Sequence, residues 1–212
     1  MTNQRKVRID TILAHRQANL TVVLENVHDP HNIAAVMRTC DAVGIQDIYV
    51  VNTKIGRQQL WSAKASSSAA NWLTVHQYTD VATCIQAVKL LFDKVYTTHL
   101  SGNAVGLYNL NLTEKVALVF GNEHDGCSQT MIALADGNFI IPQVGIIKSL
   151  NISVACAVTL YEAYRQKNIA GHYNQPKLDP AYADALLQKW SIAKAEKRLL
   201  AKAQKKAHYQ KK

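Results

Sequence analysis

Three short polar segments of this chain carry the side chains that are able to bind a ligand or take part in chemistry. Each begins where an apolar run of strand length ends. Together they contain amides, carboxylates and hydroxyls, and the guanidinium of Arg38 follows the first segment about two helical turns on. In open α/β sheets, ligands bind at the carboxyl ends of the strands. The pattern therefore predicts one site where the three segments converge, namely residues 25–32, 121–126 and 145–151.

Each of these side chains also has an ordinary structural explanation. Asn32 suits the N-cap of a helix, and Ser149 and Asn151 suit the start of a later helix. Arg38 is equally acceptable as a surface residue, and the Asp-Gly pair at 125–126 is typical of a turn. Taken singly, each segment favours the structural explanation. The convergence of three such segments on one sheet edge favours a functional site.

Several common cofactor and catalytic fingerprints are absent from the sequence. No G-x-G-x-x-G follows the first strand, and neither a P-loop, a G-x-S-x-G elbow nor an H-E-x-x-H motif occurs. The four cysteines are far apart and form no C-x-x-C pair, and the histidines lack the spacing of metal ligands. We therefore predict no metal site and four reduced thiols, and the sequence disfavours a dinucleotide-binding protein or a P-loop protein.

Apolar periodicity predicts the elements that position the polar segments. Runs of strand type alternate with runs of helical spacing, and Gly44 is placed to close the helix that carries Arg38. Because the strands are almost continuously apolar, they predict an α/β fold in which helices cover both faces of a parallel sheet. The predicted strands are 20–27, 47–51, 72–78, 94–100, 115–123 and 138–142, and the predicted helices are 3–17, 32–44, 62–72, 81–92, 128–137, 150–166 and about 180–206.

The positive charge of the chain is concentrated at its two ends. Of a formal net charge of +9, the segment from Lys189 onward carries +8, because nine basic residues face Glu196 alone. A smaller basic group near the N-terminus comprises Arg5, Lys6, Arg8 and Arg16. Basic ends that flank a nearly neutral body predict contact with a polyanion, because neutralising phosphates releases counterions.

Size and hydropathy indicate one globular domain, or one domain with a short appendage. The chain has 212 residues, of which 48% are hydrophobic, enough for a substantial core. No apolar run approaches the roughly 18–20 residues that span a bilayer. The charged N-terminal segment lacks the apolar middle of a secretory signal. We expect a protein that does not enter the membrane and is located in the cytoplasm.

Three segments, in chain order, resemble the three motifs of one family, the SpoU branch of the SPOUT RNA methyltransferases. They are "NIAAVMRTCDAVG", "ALVFGNEHDGCS" and "IIPQVGIIKSLNISVACAVTLYE". The spacing from Asn32 to Arg38, the G-x-E at 121–123 and the S-L-N at 149–151 all match the family pattern. Cys127 departs from it, since the family more often has an aliphatic residue there. The third motif is the most specific of the three.

The resemblance covers nearly the whole chain, is weakest over residues 52–95, and implies a fold and an organisation. The implied fold is the parallel-sheet SPOUT fold, an α/β trefoil knot, with a basic N-terminal helix and a C-terminal helical extension. A homodimer packed through the knotted region is also implied. The implied boundaries are 1–18 for the basic N-terminal helix, 19–168 for the SpoU knotted methyltransferase domain and 169–212 for the basic C-terminal extension.

The resemblance further implies S-adenosylmethionine as the cofactor. In this family the knotted loops bind the cofactor in a bent form, largely through backbone groups. The short, apolar, glycine-punctuated loops of this chain suit such a site. At the matching positions, the cofactor-binding residues would be Thr98, Gly121, Ile141 and Leu150.

The family's reaction is methylation of a ribose 2'-hydroxyl, which needs in-line placement of the methyl group, removal of a proton and a held phosphate. The resemblance gives the central role to Arg38. Asn32 would orient Arg38 or the ribose, and Ser149 and Asn151 would hold Arg38 and the substrate phosphate. Glu123 would organise the site. A guanidinium titrates above about pH 12 and is a poor general base, so a phosphate clamp is the simpler role for Arg38, but the sequence leaves both roles open.

Short basic extensions at both ends resemble those of the family members that act on tRNA. They imply tRNA as the partner and the 2'-hydroxyl of guanosine 18 in the D-loop as the target. Two alternatives stay open: a SpoU enzyme that acts on another tRNA position or on rRNA, and a non-catalytic RNA-binding module. The minimal wobble-modifying relatives lack both extensions, and rRNA members usually carry a separate N-terminal domain. The intact set of catalytic positions disfavours the non-catalytic module.

Overall fold

The computed structural model describes residues 2–54, 68–101, 103–147 and 149–192. Within these ranges, helices and strands alternate as the apolar pattern predicts. The strands are β1 (Leu20–Glu25), β2 (Asp47–Val51), β3 (Thr74–Tyr78), β4 (Lys94–Thr98), β5 (Val105–Gly106), β6 (Val116–Phe120) and β7 (Gly137–Ile140), and the helices are α1 (Asn3–Ala14), α2 (Pro30–Ala42), α3 (Val81–Lys89), α4 (Gln129–Leu134), α5 (Ile152–Ile169) and α6 (Pro180–Ser191).

The strands form a seven-stranded parallel sheet in the order β3-β2-β1-β6-β4-β7-β5. Strand β6 comes late in the chain but lies between β1 and β4. Leu24 of β1 pairs with Phe120 of β6, and Thr97 of β4 pairs with Val119 of β6. The carboxyl ends of these three strands therefore lie side by side, and the polar segments that follow β1 and β6 become neighbours.

Buried apolar side chains cover both faces of the sheet. Helices α2 and α5 pack together on one face, and α3 and α4 pack together on the other. The two layers form because successive strand residues point to opposite faces and almost all of them are apolar. Residues at the two interfaces include Leu24, Phe120, Met37 and Leu160 on the first face and Val23, Val119, Ile85 and Met131 on the second.

The N-terminal and C-terminal helices pack against each other in a separate apolar cluster. Ile9 and Leu13 of α1 meet Leu186 and Trp190 of α6. The indole of Trp72 contacts that of Trp190 edge to face, with ring centroids 5.3 Å apart. The two ends of the described chain therefore lie together on one side of the sheet.

Arg16 does not belong to the basic, RNA-facing group in which the sequence placed it. Its side chain is only 1% exposed and lies over the ring of Trp190, 5.5 Å from the centroid. One guanidinium nitrogen donates to Asp41 Oδ1 at 2.5 Å and another to the carbonyl of Ile45 at 2.8 Å. That part of the prediction is wrong, because a guanidinium buried between these partners cannot reach a phosphate. It joins α1 to the end of α2 instead.

The N-cap of α2 is Asp29 and not Asn32. The Asp29 carboxylate accepts a hydrogen bond from the backbone N–H of His31 at 2.9 Å. Pro30 occupies the first position of the helix, where its fixed φ is favourable and its missing N–H costs nothing. Gly44 follows the end of the helix with a φ of +85°, as its predicted role in closing the helix requires.

Other differences from the predicted elements are local. The polar connection at 101–111 contains β5, a two-residue edge strand that pairs with β7 alone and is too short to produce a sequence pattern. Of the predicted helix 62–72, only 68–72 lies in the described part of the chain, and residues 68–71 form a 3-10 turn there. Helix α6 ends at Ser191, and the predicted basic helix beyond Ile192 lies outside the described residues.

Two further observations bear on the predicted class. No helix in the described ranges is long and apolar enough to cross a membrane. All four cysteines are buried and free of disulfide bonds.

The predicted domain boundary at 18/19 falls between α1 and β1, and the one at 168/169 falls in the last turn of α5. These boundaries stay predictions.

Candidate active site

A cavity of about 690 Å³ opens at the carboxyl edge of the sheet. Its walls come from the segments that follow β4, β6 and β7 and from the start of α5. All four residues predicted to bind the cofactor lie in these walls, together with three of the five predicted catalytic residues. The former are Thr98, Gly121, Ile141 and Leu150, and the latter are Glu123, Ser149 and Asn151.

The inner wall of the cavity is apolar and its rim is polar. The rings of Phe120 and Phe139 meet edge to face with centroids 6.4 Å apart, and Ile141 packs against the same core. Leu150 lies further out and is 39% exposed. At the rim, the hydroxyl of Thr98 donates to the carbonyl of Val119 at 3.2 Å, which ties the end of β4 to β6. Such a cavity suits a ligand with one flat apolar part and one polar part.

The loop after β6 is a tight turn held by its own backbone. Asn122 and Gly126 exchange two N–H···O hydrogen bonds of 3.0 and 2.9 Å. The side-chain oxygen of Asn122 also accepts from the N–H groups of His124 and Asp125, at 2.8 and 3.2 Å. The turn closes so tightly on Gly121 that no Cβ fits there. The glycine of the G-x-E motif is therefore required by packing, independently of any ligand.

Two asparagines that the sequence interpretation did not single out anchor this loop to β1. The Nδ2 atom of Asn122 donates to the carbonyl of Asn26 at 2.8 Å. Asn26 has a φ of +52°, and its side-chain oxygen accepts from the N–H of Thr53 at 2.9 Å. Asparagine is among the few non-glycine residues that tolerate this conformation. An asparagine in the last residues of a predicted strand was the available signal for such a turn.

Three predicted catalytic residues from distant parts of the chain form one hydrogen-bonded network. Asn32 Nδ2 donates to Glu123 Oε1 at 2.9 Å, and Asn151 Nδ2 donates to Asn32 Oδ1 at 3.1 Å. A carboxylate only accepts, so it fixes which way the Asn32 amide points and leaves the amide oxygen for Asn151. Asn151 Oδ1 also caps α5 by accepting from the N–H of Ser153 at 2.9 Å. Asn151 therefore has both roles: it caps α5 and it belongs to the network in the site.

The other two predicted catalytic residues stand apart from this network. Arg38 is exposed on α2, roughly 9 Å along the helix axis from Asn32. Among the residues that the structure describes, none forms a hydrogen bond or ion pair with its guanidinium. Ser149 is exposed at the cavity wall and likewise has no hydrogen bond within the described part of the chain. Both side chains are therefore accessible, and their roles stay predictions.

Cys127, where the sequence departs from the family pattern, behaves as a small apolar residue. It is buried in the core between the sheet and helices α3 and α4. Burial, reinforced by the nearby carboxylate of Glu25, raises the pKa of the Cys127 thiol to about 12. The thiol is therefore neutral near pH 7 and replaces an aliphatic side chain without adding a charge. Within the described ranges, no group of three or more His, Cys, Asp or Glu side chains is placed to hold a metal ion.

The parallel sheet, the cavity at its carboxyl edge and the Asn32–Glu123–Asn151 network define the class of knotted α/β methyltransferases that the three motifs predict. The sequence matches the SpoU rRNA Methylase family over residues 19–161. It is 40% identical over 189 residues to the tRNA (guanosine(18)-2'-O)-methyltransferase of Thermus thermophilus, across 89% of this chain and 96% of that relative.

Solved structures give the same assignment. The TrmH/SpoU tRNA modifying enzyme of A. aeolicus matches with a TM-score of 0.80 and 31% identity, over 90% of this chain and 98% of that one. The AdoMet-bound rRNA methyltransferase from Sinorhizobium meliloti matches with a TM-score of 0.62 and 26% identity, over 73% of this chain and 59% of that one. The chain belongs to the SpoU methylase family, and the predicted parallel-sheet SPOUT fold is confirmed.

Proposed function

We propose that this protein transfers a methyl group from S-adenosylmethionine to a ribose 2'-hydroxyl of tRNA, at guanosine 18. The observation that carries the proposal is the network of Asn32, Glu123 and Asn151, of which the last two line the cavity. The choice of nucleotide is supported by the relative from T. thermophilus, which bears that activity in its name and matches 89% of this chain. A tRNA substrate agrees with the predicted cytoplasmic location.

The cavity has the features that S-adenosylmethionine requires. At Gly121 only backbone fits, so peptide groups are available for hydrogen bonds. Ile141 and Leu150 offer apolar surface to the adenine, and Thr98 at the end of β4 contributes a further part of the wall. These four residues would hold the cofactor. When bound, S-adenosylmethionine supplies an electrophilic methyl group on its sulfonium.

Arg38 serves in this proposal as a phosphate clamp. A guanidinium does not release its proton in proteins, so Arg38 is not the base that removes the 2'-hydroxyl proton directly. Its planar fork is suited to grip a phosphate with two parallel hydrogen bonds. A clamped phosphate beside the target ribose positions the hydroxyl and places positive charge next to the developing alkoxide. The exposure of Arg38 leaves the guanidinium accessible to RNA.

The Asn32–Glu123–Asn151 network serves as a rigid support beside that phosphate. It joins the start of α2, the loop after β6 and the N-terminus of α5, so none of the three moves independently. Glu123 is exposed and uses only one carboxylate oxygen in the network, so the other is free to accept a hydrogen bond from the substrate. Ser149, exposed at the cavity wall, would contact the ribose or its phosphate.

The proposed assembly is a homodimer that packs through the segment after β7 and one face of α5. Six large apolar side chains are exposed there, and a concentration of exposed apolar surface supports an interaction surface. The patch adjoins the cavity, since two of its members also line it. Each active site would then lie close to both subunits. The patch consists of Val144, Ile146, Ile147, Leu150, Val154 and Tyr161.

Single charged substitutions test the dimer. Ile146→Asp and Val154→Asp should each give a monomer in sedimentation equilibrium, where the wild-type protein gives a dimer, because a buried unpaired carboxylate strongly disfavours an interface. Leu91→Asp is the matched control, since Leu91 is 57% exposed beyond the end of α3 and outside the patch. A monomeric wild-type protein, or dimers of both patch variants, would contradict the proposed interface.

The N-terminal helix and the C-terminal segment are proposed to bind the body of the tRNA as one basic surface. A guanidinium nitrogen of Arg5 donates to the carbonyl of Trp190 at 3.0 Å, so α1 lies beside the point from which the basic C-terminal residues continue. Lys6 and Arg8 are exposed on α1. Such contacts position the RNA without reading its sequence. Truncation after Ile192 should weaken tRNA binding and reduce its salt dependence, since fewer phosphates are neutralised.

One assay tests the reaction. Tritiated S-adenosylmethionine is incubated with a tRNA transcript, and nuclease mapping then locates the label, with a transcript already 2'-O-methylated at guanosine 18 as the matched control. Label is expected on the ribose of guanosine 18 and not in the control. Label on another ribose of tRNA, or only on rRNA, would favour a different SpoU target. Label on a base, or no transfer, would refute the proposed reaction.

Substitution of Arg38 tests the clamp. Arg38→Ala should abolish transfer while the Kd for S-adenosylmethionine, measured by calorimetry, stays within about threefold, because the guanidinium lies outside the cavity wall. Arg38→Lys should restore little activity, since an ammonium cannot form the bidentate contact. If Arg38→Ala lost both cofactor binding and transfer, Arg38 would be a structural residue.

A further inference from the structure

Glu25 is a buried carboxylate at the centre of the sheet that the reaction as proposed leaves unexplained. It ends β1, is 1% exposed, and lies on a sheet face whose neighbouring side chains are almost all apolar. Its Oε2 atom accepts a hydrogen bond from the backbone N–H of Ser128 at 2.9 Å. Its Oε1 atom is buried and has no hydrogen-bond partner within the part of the chain that the structure describes. No cation among the described residues pairs with it. Burial of such a group is unfavourable unless hydrogen bonds or ion pairs compensate for it, so the hydrogen bond from Ser128 and the unsatisfied Oε1 atom call for an explanation.

The group that Glu25 holds is the far end of the loop after β6. Ser128 ends that loop and caps α4 with its hydroxyl. The near end is held by the next residue of the same strand end, because the carbonyl of Asn26 accepts from the side chain of Asn122 at 2.8 Å. Two consecutive residues at the end of β1 therefore fix both ends of the segment 121–128.

The distance between those two ends determines the shape of the cavity wall. The chain returns so close to Gly121 that its nearest neighbours are the backbone atoms of Gly126 and Cys127. Ser128 directly follows that contact, so its position decides whether the contact is kept. Gly121 and Glu123 both line the cavity. A displaced Ser128 would open the loop on the side where the cofactor is proposed to bind.

We infer that Glu25 is a positioning residue of the cofactor cavity, acting through the amide of Ser128. It touches neither the cofactor nor the RNA. It keeps the segment 121–128 closed against Gly121 in the form that binds S-adenosylmethionine. This role rests on the proposed function in one respect, that S-adenosylmethionine occupies this cavity.

Two substitutions at Glu25 distinguish the contribution of the hydrogen-bond acceptor from those of the charge and the side-chain volume. Glu25→Gln keeps an oxygen for the Ser128 N–H and removes the charge, whereas Glu25→Leu has similar size and no acceptor. Glu25→Leu should raise the Kd for S-adenosylmethionine about tenfold in calorimetry, the lower end of the effect of losing a hydrogen bond to a charged group. Glu25→Gln should stay within about threefold of wild type. Glu114→Gln is the matched control, because Glu114 is an exposed glutamate away from the cavity and should change nothing.

Amide hydrogen exchange supplies a second readout that general destabilisation does not reproduce. In Glu25→Leu, exchange should accelerate in the peptides that cover 121–128 and stay unchanged in β2 and β3. A role confined to stability would accelerate exchange throughout the sheet and leave the affinity of the folded fraction unaltered.

The results that would overturn the inference are distinct from those that would overturn the proposed function. A folded Glu25→Leu protein with wild-type affinity, or an equal loss in Glu25→Gln, would refute the role of the Ser128 hydrogen bond. If Glu25→Leu does not fold, Glu25→Gln decides: wild-type affinity supports the inference and a tenfold loss overturns it. If the wild-type protein itself fails to bind S-adenosylmethionine, both the cofactor assignment and the inference about Glu25 are overturned.

Discussion

Gly121→Ala is the substitution whose consequence follows most directly from the backbone. A Cβ atom at this position would lie 2.2 Å from the carbonyl carbon of Gly126 and 2.3 Å from the backbone nitrogen of Cys127. Ordinary van der Waals contact begins at 3.4 Å, so the returning chain has to move away by about 1.2 Å. No flexible side chain is available to absorb the displacement, because the obstructing atoms are all backbone.

The cost of that displacement has two parts. Overpacking of a tight site typically costs about 1–3 kcal/mol. A movement of about 1.2 Å also takes the Asn122–Gly126 hydrogen bonds, now 3.0 and 2.9 Å, past bonding distance, and each lost bond costs about 0.5–1.5 kcal/mol. A total loss of about 2–6 kcal/mol in the free energy of unfolding is expected, which lowers the Tm of a domain of this size by roughly 4–24 °C.

Thermal unfolding and calorimetric titration with S-adenosylmethionine measure the two consequences. Gly145→Ala is the control, since Gly145 also lines the cavity but a Cβ there meets nothing within 4 Å. The control should keep its stability within about 0.5 kcal/mol and bind the cofactor normally, while Gly121→Ala should lose at least about tenfold in affinity. A Gly121→Ala protein with wild-type Tm and affinity would refute the close contact and, with it, the positioning role of Glu25.

Three further substitutions test other contacts. Arg16→Ala should destabilise the protein by about 2–3 kcal/mol in urea unfolding, because it leaves buried acceptors without a partner. A weaker tRNA affinity at unchanged stability would contradict the structural role of Arg16. Hydrogen bonds from Arg165 lower the pKa of Glu162 from its usual 4.5. The pair therefore stabilises the folded state fully above that pH, and its contribution is lost as the pH falls through the lowered pKa of Glu162. The stabilities of wild type and Glu162→Gln should differ at pH 7, and the difference should shrink as the pH falls below 4.5. Asn32→Asp places a second carboxylate against Glu123, and should lower kcat more than Asn32→Ala does.

Much of the scaffold was predictable because its signal is local. The strands on either side of the site are nearly unbroken apolar runs, and Asn151 stands directly before a long helical pattern. The polar groups that follow β1 and β6 come together because parallel strands end at a common edge. For these positions, the order of the elements and a general rule of α/β sheets were sufficient to predict where the polar groups lie.

The pairings were not predictable, because they join residues that are far apart in the chain. Asn32 lies 91 residues from Glu123 and 119 from Asn151. Arg16 looked like a solvent-exposed cation because its partner, Asp41, lies 25 residues away. Glu25 belonged to the polar segment 25–32, but nothing in the sequence indicated that its carboxylate is buried against Ser128, 103 residues away. Local patterns indicate which residues are polar, and only the packed sheet determines which of them meet.

The central place of β6 has a consequence for how the protein is made. A ribosome delivers Val116–Phe120 only after β1–β4 have been synthesised, yet β6 supplies a neighbour to both β1 and β4. Until then the only native strand pairings open to the described part of the nascent chain are those among β1, β2 and β3, with β1 as an open edge, while β4 lacks both of its native neighbours. Open edges promote association with other chains, and pairings between distant segments form slowly. Synthesis halted before Val116 would leave β1–β3 unjoined to β4, with no wall against which a cofactor could bind.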